Sequence, residues 1–243
     1  MAYASSAVLL SVFLVPLALY LLRQNRRRLL DCADDGMKQV TTNWANRSWT
    51  RSEVLHDTRF YLLIPGYLAP SIITTALFLH HLTVADAKGW SHGWITGNYI
   101  VYATSVVVTA LASGPLIDHF RAMKLMPISL LPLMVALLLV AIFDHYQIVL
   151  PYMIMLGISA GVVHTAATAM WAELYGLKYL GAIKSLGVAL MVFGSALGPI
   201  TLGGLMDSGK SIEIVCVWFA MYSFIGMIFM YLAFWNSITS RIP

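Results

Sequence analysis

Leu130 to Phe143 reads LLPLMVALLLVAIF. A membrane-spanning strand alternates apolar and polar residues over about ten positions, and this run does not alternate. It is apolar on every face. In lipid each backbone group must find its partner within the segment, and a helix provides that. Working outward from this run, which lies within 125–143, six more apolar stretches appear at 5–22, 60–82, 94–117, 147–171, 185–206 and 213–235. Crossing the hydrocarbon core takes about 20 apolar residues, and these stretches have that length. The expected fold is an all-α membrane protein with about seven transmembrane helices.

Composition points the same way. The chain is 59% hydrophobic and 11% charged over 243 residues. Soluble domains are about 25% charged, and a soluble fold of this size has too little interior to hide so much apolar surface. The net charge of +4 does not point to nucleic acid, because the basic residues fall between apolar stretches and act as topology signals. Cys32 and Cys216 are far apart, the first expected in a cytoplasmic segment and the second inside a span. They form neither a disulfide framework nor a metal spacing, and no cofactor or metal is expected. Met1 to Leu22 has its basic cluster (Arg23, Arg26, Arg27, Arg28) after the apolar stretch. A signal peptide carries basic residues before it, so this segment reads as a true span.

Lys and Arg placement orients the spans, since they favour cytoplasmic loops. One side holds Arg23, Arg26, Arg27, Arg28, Lys38, Arg47, Arg51, Arg59, Arg121, Lys124, Lys178, Lys184 and Arg241, and the other only Lys88 and Lys210. The expectation is a multi-pass protein of the plasma membrane, N-terminus outside and C-terminus cytoplasmic. The polar segment 23–59 carries the basic cluster, then Asp31, Asp34 and Asp35, then Trp44 and Trp49. It reads as a tether whose arginines meet lipid headgroups, or as a regulatory loop. The sequon Asn46-Arg47-Ser48 is idle on the cytoplasmic side.

Ionisable groups inside spans are costly and therefore mark candidate sites. His81 shares a helical face with Thr74 and Phe78, and His164 lies within the fifth stretch. Histidine changes charge near neutral pH. These two either line a polar cavity, binding substrate or carrying a proton, or bridge helices as neutral hydrogen-bonding groups. His80 points about 100° away from His81 and reads as structural. Asn98, Tyr102 and Ser105 form a stripe on the third span that lines a cavity or bonds between helices. Gly157-xxx-Gly161 and Gly194-xxx-Gly198 allow close helix approach. Pro65, Pro70 and Pro199 mark expected bends, the last beside Gly198.

The segment Gly114-Pro-Leu-Ile-Asp118-His-Phe-Arg121-Ala-Met-Lys124 resembles the cytoplasmic loop signature of the major facilitator superfamily. His119 stands where that signature has arginine, and Arg121 at a usual glycine position. Phe60 to Trp90 looks like the first helix of that family's C-terminal half. Gly194 through Asp207 looks like its eleventh helix, and Ala172 to Gly181 like the loop before it. The resemblance implies that 1–22 is the family's sixth helix, 23–59 its central loop and 60–243 the six-helix C-terminal bundle. The expected partners are a small-molecule substrate, membrane lipid and the six-helix N-terminal half.

On this resemblance the function is secondary active transport by alternating access, with no enzymatic activity and possible coupling to protons. Substrate would lie near the midplane among the second, third and fifth spans, against Tyr67, His81, Asn98, Tyr102 and His164. Gly114, Asp118, Arg121 and Lys124 would latch one conformation. The substrate is an organic anion or a neutral, amphipathic compound. Ile95 to Ser113 holds no Lys or Arg, so an anion would draw its countercharge from a protonated histidine. A seven-helix receptor or sensor is the alternative. A retinal protein needs a lysine in the last helix, and Ile214 to Trp235 has none. A membrane enzyme would need histidine boxes or a nucleophile turn, and neither is present.

Overall fold

The structure is a computed structural model that describes residues 48–239, with side chains to 234. The stretch 5–22, most of the polar loop and Arg241 lie outside the described residues. Within them every regular element is helical: α1 (Arg51–Leu55), α2 (Thr58–Leu79), α3 (His81–Lys88), α4 (His92–Gly97), α5 (Tyr99–Phe120), α6 (Ala122–Ile128), α7 (Leu130–Ile142), α8 (Val149–Tyr175), α9 (Leu180–Asp207) and α10 (Ile212–Thr239), with a 3₁₀ turn at Tyr146–Ile148. Six helical segments are long and apolar enough to cross a membrane: Thr58–Leu79, His92–Phe120, Ala122–Ile142, Tyr146–Tyr175, Leu180–Asp207 and Ile212–Phe234. They correspond one for one to the six stretches expected in this part of the chain.

The three prolines expected to mark bends lie inside continuous helices. α2 runs unbroken through Pro65 and Pro70, and α9 through Pro199. Breaks fall instead at His80, Asn98 and Ser129, each closing one helix and opening the next. His81 therefore belongs to a separate short helix rather than to the second span. α1 opens on a capping box in which Thr50 and Glu53 satisfy each other's backbone N–H, the usual repair for unpaired donors at a helix start.

α2 is the hub, packed against α9 on one side and α10 on the other, while α8 packs against α5, α6 and α7, and α10 also meets α7. Two glycine contacts set the closest approaches to the hub. A Cβ on Gly198 of α9 would collide with the Ile72 carbonyl oxygen of α2, and one on Gly66 of α2 would lie 2.6 Å from the Gly226 carbonyl oxygen of α10. The shared core includes Ile73, Leu77, Leu133, Leu137, Tyr152 and Phe219. α5 contributes little to it: of its residues only Ser113 is fully buried. Ile100, Val107, Val108 and Leu111 are bare, an apolar face suited to lipid and out of place in water.

The two ends of the bundle differ. At one end Lys88 Nζ bridges Asp144 at 2.6 Å and Glu213 at 2.8 Å, and Trp90 Nε1 donates to the Asp144 carbonyl oxygen at 2.6 Å. Burial opposes the Lys88 charge, but hydrogen bonds and attraction from the two acids outweigh it and raise its pKa. At the other end the Trp49 amide donates to the Tyr175 carbonyl oxygen at 3.0 Å, and Glu173 accepts from the amides of Ala122 at 2.8 Å and Met123 at 3.2 Å. Successive connectors thus alternate between ends, as an up-and-down bundle requires.

Candidate functional site

Three helices leave a cleft of about 440 Å³ between them, lined by Tyr67 and Ser71 of α2, Val163 to Trp171 of α8 and Lys184 to Ser195 of α9. Such a volume lies within the usual range for small-molecule sites. Ser71 Oγ donates to the Met191 carbonyl oxygen at 2.8 Å, tying α2 to α9 at the wall of the cleft. Ser195 Oγ is likewise committed, donating to the Val192 carbonyl oxygen at 2.7 Å. Tyr67 packs edge-on against Trp171, ring centroids 5.1 Å apart, and Phe60 and Tyr175 complete the indole's surroundings.

Gly187 opens this corner. A Cβ there would lie 2.9 Å from Tyr67 Oη and 3.1 Å from Trp171 Nε1. Trp171 is 1% exposed, and its Nε1 has no hydrogen-bond partner. The Tyr67 hydroxyl lies beside it without meeting it at hydrogen-bonding geometry. A buried N–H left unpaired costs about 1–3 kcal/mol, so an acceptor brought to this donor would recover that cost. Lys184 is exposed and, among the described residues, forms no ion pair.

Of the five residues expected along the substrate path, Tyr67 and His164 line this cleft. This cleft is lined by the second, fifth and sixth spans, whereas the sequence places the expected substrate path among the second, third and fifth. The third span meets α8 earlier, where Gly157 and Gly161 admit the Tyr102 and Val106 backbones, and it contributes no side chain to the lining. Lys184, Trp171 and Thr168 were not singled out as site residues from sequence. Lys184 looked like a loop cation, and an indole N–H without a partner has no sequence signature.

His81 sits elsewhere, 1% exposed. Its Nε2 is 2.7 Å from the Tyr152 hydroxyl and its Nδ1 3.1 Å from the Tyr99 hydroxyl. A neutral imidazole has one donor and one acceptor nitrogen, and here both are used. Burial pushes its pKa down to about 4. Phe78 packs on this ring at 4.8 Å and on Tyr102 at the same centroid distance. Tyr102 therefore belongs to the His81 aromatic cluster. Asn98 spends its side-chain Nδ2 on the Trp94 carbonyl oxygen at 2.8 Å, closing α4. His80 Nε2 lies 3.3 Å from the Pro199 carbonyl oxygen, a contact between helices.

In the loop signature, Gly114 is half-buried, and Asp118, Arg121 and Lys124 are exposed. Asp118 lies in the last turn of α5, where the helix dipole disfavours an acid. It is Glu173, buried on α8, that caps the N-terminus of α6. Arg121 has φ +70° and ψ 142°, a region almost confined to glycine, and is alone among described non-glycine residues in a positive φ. Among the described residues no group of three His, Cys, Asp or Glu side chains converges as a metal site, and Cys216 is a buried free thiol.

Compared with known proteins, the chain matches no family model and no curated protein.

Proposed function

We propose that the chain acts in secondary transport of a small solute across a membrane, in the manner of the major facilitator superfamily, with the cleft between α2, α8 and α9 as its substrate path. One observation carries the reading: three membrane-length helices of apolar composition turn Tyr67, His164, Thr168, Trp171 and Lys184 toward one shared space. Packing accounts for Tyr67 and Trp171, which pair in the core, but not for His164 and Lys184, because ionisable side chains in membrane helices are expensive and concentrate along solute and proton paths. The Gly114–Lys124 signature supports the same family. An N-terminal six-helix bundle would supply the opposite wall, as substrate sites in this family lie between two bundles. The basic end of the bundle would face the cytoplasm.

Proton coupling, where it occurs, falls to His164. His81 is buried, hydrogen-bonded at both nitrogens and held neutral well above pH 4, whereas His164 faces the cleft. The experiment is solute counterflow in proteoliposomes, screened over organic anions and neutral amphiphiles. An active protein exchanges a labelled solute only when unlabelled solute is present on the far side. A pH-gradient-driven uptake that survives His164→Gln unchanged would remove the proton assignment.

A further inference from the structure

We infer that the cleft is an anion site, taking an amphipathic monocarboxylate or monosulfonate whose head group meets Lys184 and the Trp171 indole N–H. The inference rests on the cleft being the substrate path proposed above, and it names the substrate class. The lining holds one permanent cation, Lys184, and no aspartate or glutamate. A cationic solute would find a like charge and no counterion. An anion would find attraction in a space where the surrounding helices lower the dielectric.

Donor chemistry points the same way. Trp171 Nε1 can donate but cannot accept, it is buried, and it has no partner. The hydroxyls of Ser71 and Ser195 donate to backbone carbonyls, so neither has a proton left for a head group, and Lys184 is the charged donor of the lining. The indole N–H is buried, and Gly187 leaves it without a side chain packed on it from α9, since a Cβ at that position would lie 3.1 Å away. Val163, Val188 and Met191 give the cleft an aliphatic face beside Tyr67, His164 and Thr168. The aliphatic face suits a hydrocarbon body behind a small charged head. The sequence placed no cation on the third span. The cation of the cleft comes from the first turns of α9, so an anion has no need of a protonated histidine.

The test is binding of radiolabelled octanoate to the purified full chain by scintillation proximity. Unlabelled octyl sulfonate, octylammonium and octanol serve as competitors. The expected result is competition by octyl sulfonate and none by octylammonium. Lys184→Gln is expected to weaken octanoate binding at least tenfold and Lys184→Arg less than threefold. Trp171→Phe is expected to weaken it severalfold, with an unchanged order of competitors. Lys184 is exposed, so its substitution leaves the fold intact, which a melting curve checks. Competition by octylammonium, unaltered binding in Lys184→Gln, or no octanoate binding by the folded parent each overturns the anion site. Counterflow separates the two proposals. Lys184-dependent binding without octanoate exchange keeps the site and sinks transport. Exchange of octylammonium or octanol, with no octanoate binding, keeps transport and sinks the anion site.

Discussion

His81 and Arg121 are the two residues whose chemistry most constrains the molecule. The His81 ring is buried between two tyrosine hydroxyls, and its pKa falls to about 4 in the folded chain from an ordinary 6.5. The unfolded chain therefore binds the extra proton first as pH drops. The stabilisation is fully present above about pH 6.5 and is lost as pH falls through the window down to about 4. A shift of this size corresponds to a loss on the order of 3 kcal/mol. Melting temperature in detergent is expected to decline across that window, and a His81→Gln variant to show a flatter profile from a lower starting value. An equally steep decline in the variant would assign the effect to other groups. Arg121 carries strain of another kind. Its φ of +70° costs a non-glycine residue about 1–3 kcal/mol, at a position where the resembling signature has glycine. Arg121→Gly is expected to melt higher than Arg121→Ala, by about 1 kcal/mol in stability. The alanine loses the side chain's own interactions and keeps the strain. The sequence showed that Arg121 departs from the signature. It could not show the consequence, because backbone angles follow from how α5 and α6 meet.

Helix identity was legible in the sequence because the apolar runs are long and continuous; the breaks at His80, Asn98 and Ser129 and the helix contacts were not. Gly194, Gly198, Gly203 and Gly204 look alike as a stripe of small residues, yet they differ in what they face. Gly198 meets the Ile72 backbone of α2, whereas a Cβ on Gly204 meets nothing within 4 Å. Gly198→Ala is expected to destabilise the α2–α9 pair by about 1–3 kcal/mol, as overpacking does. Gly204→Ala is expected to be neutral or stabilising by up to about 1 kcal/mol, since alanine is the better helix former. Thermal unfolding of the two variants side by side checks this, and equal destabilisation would remove the claimed contact. The Gly66–Gly226 approach carried no comparable signal, because each glycine stands alone in its helix and their pairing exists only across the bundle. The same limit explains the cleft. Tyr67 and His164 stood out as polar residues in apolar stretches. Lys184 did not, because its place in the lining depends on α9 lying against α2.

At the scale of the whole molecule, charge and connectivity bear on each other. The structure puts Lys88, Asp144 and Glu213 together at one end of the bundle, and Trp49, Ala122, Glu173 and Tyr175 together at the other. Among the described residues, the basic connectors Arg121–Lys124 and Lys178–Lys184 belong to the second end, and Lys210 joins α9 to α10 at the first. A bundle with these ends has two possible orientations, and the excess of Lys and Arg favours the second end in the cytoplasm. Two exposed lysines report on the choice: Lys178 at the second end and Lys210 at the first. In a Cys32→Ser background, Lys210→Cys is expected to react with a membrane-impermeant maleimide in intact cells. Lys178→Cys is expected to react only after permeabilisation. Cys216 does not confuse the assay, because it is buried in α10. The reverse pattern would invert the bundle and leave the arrangement of its helices untouched, since that arrangement rests on contacts and not on charge. Labelling of both positions from one side would contradict the alternation of connectors itself, and with it the six-span architecture on which the cleft depends.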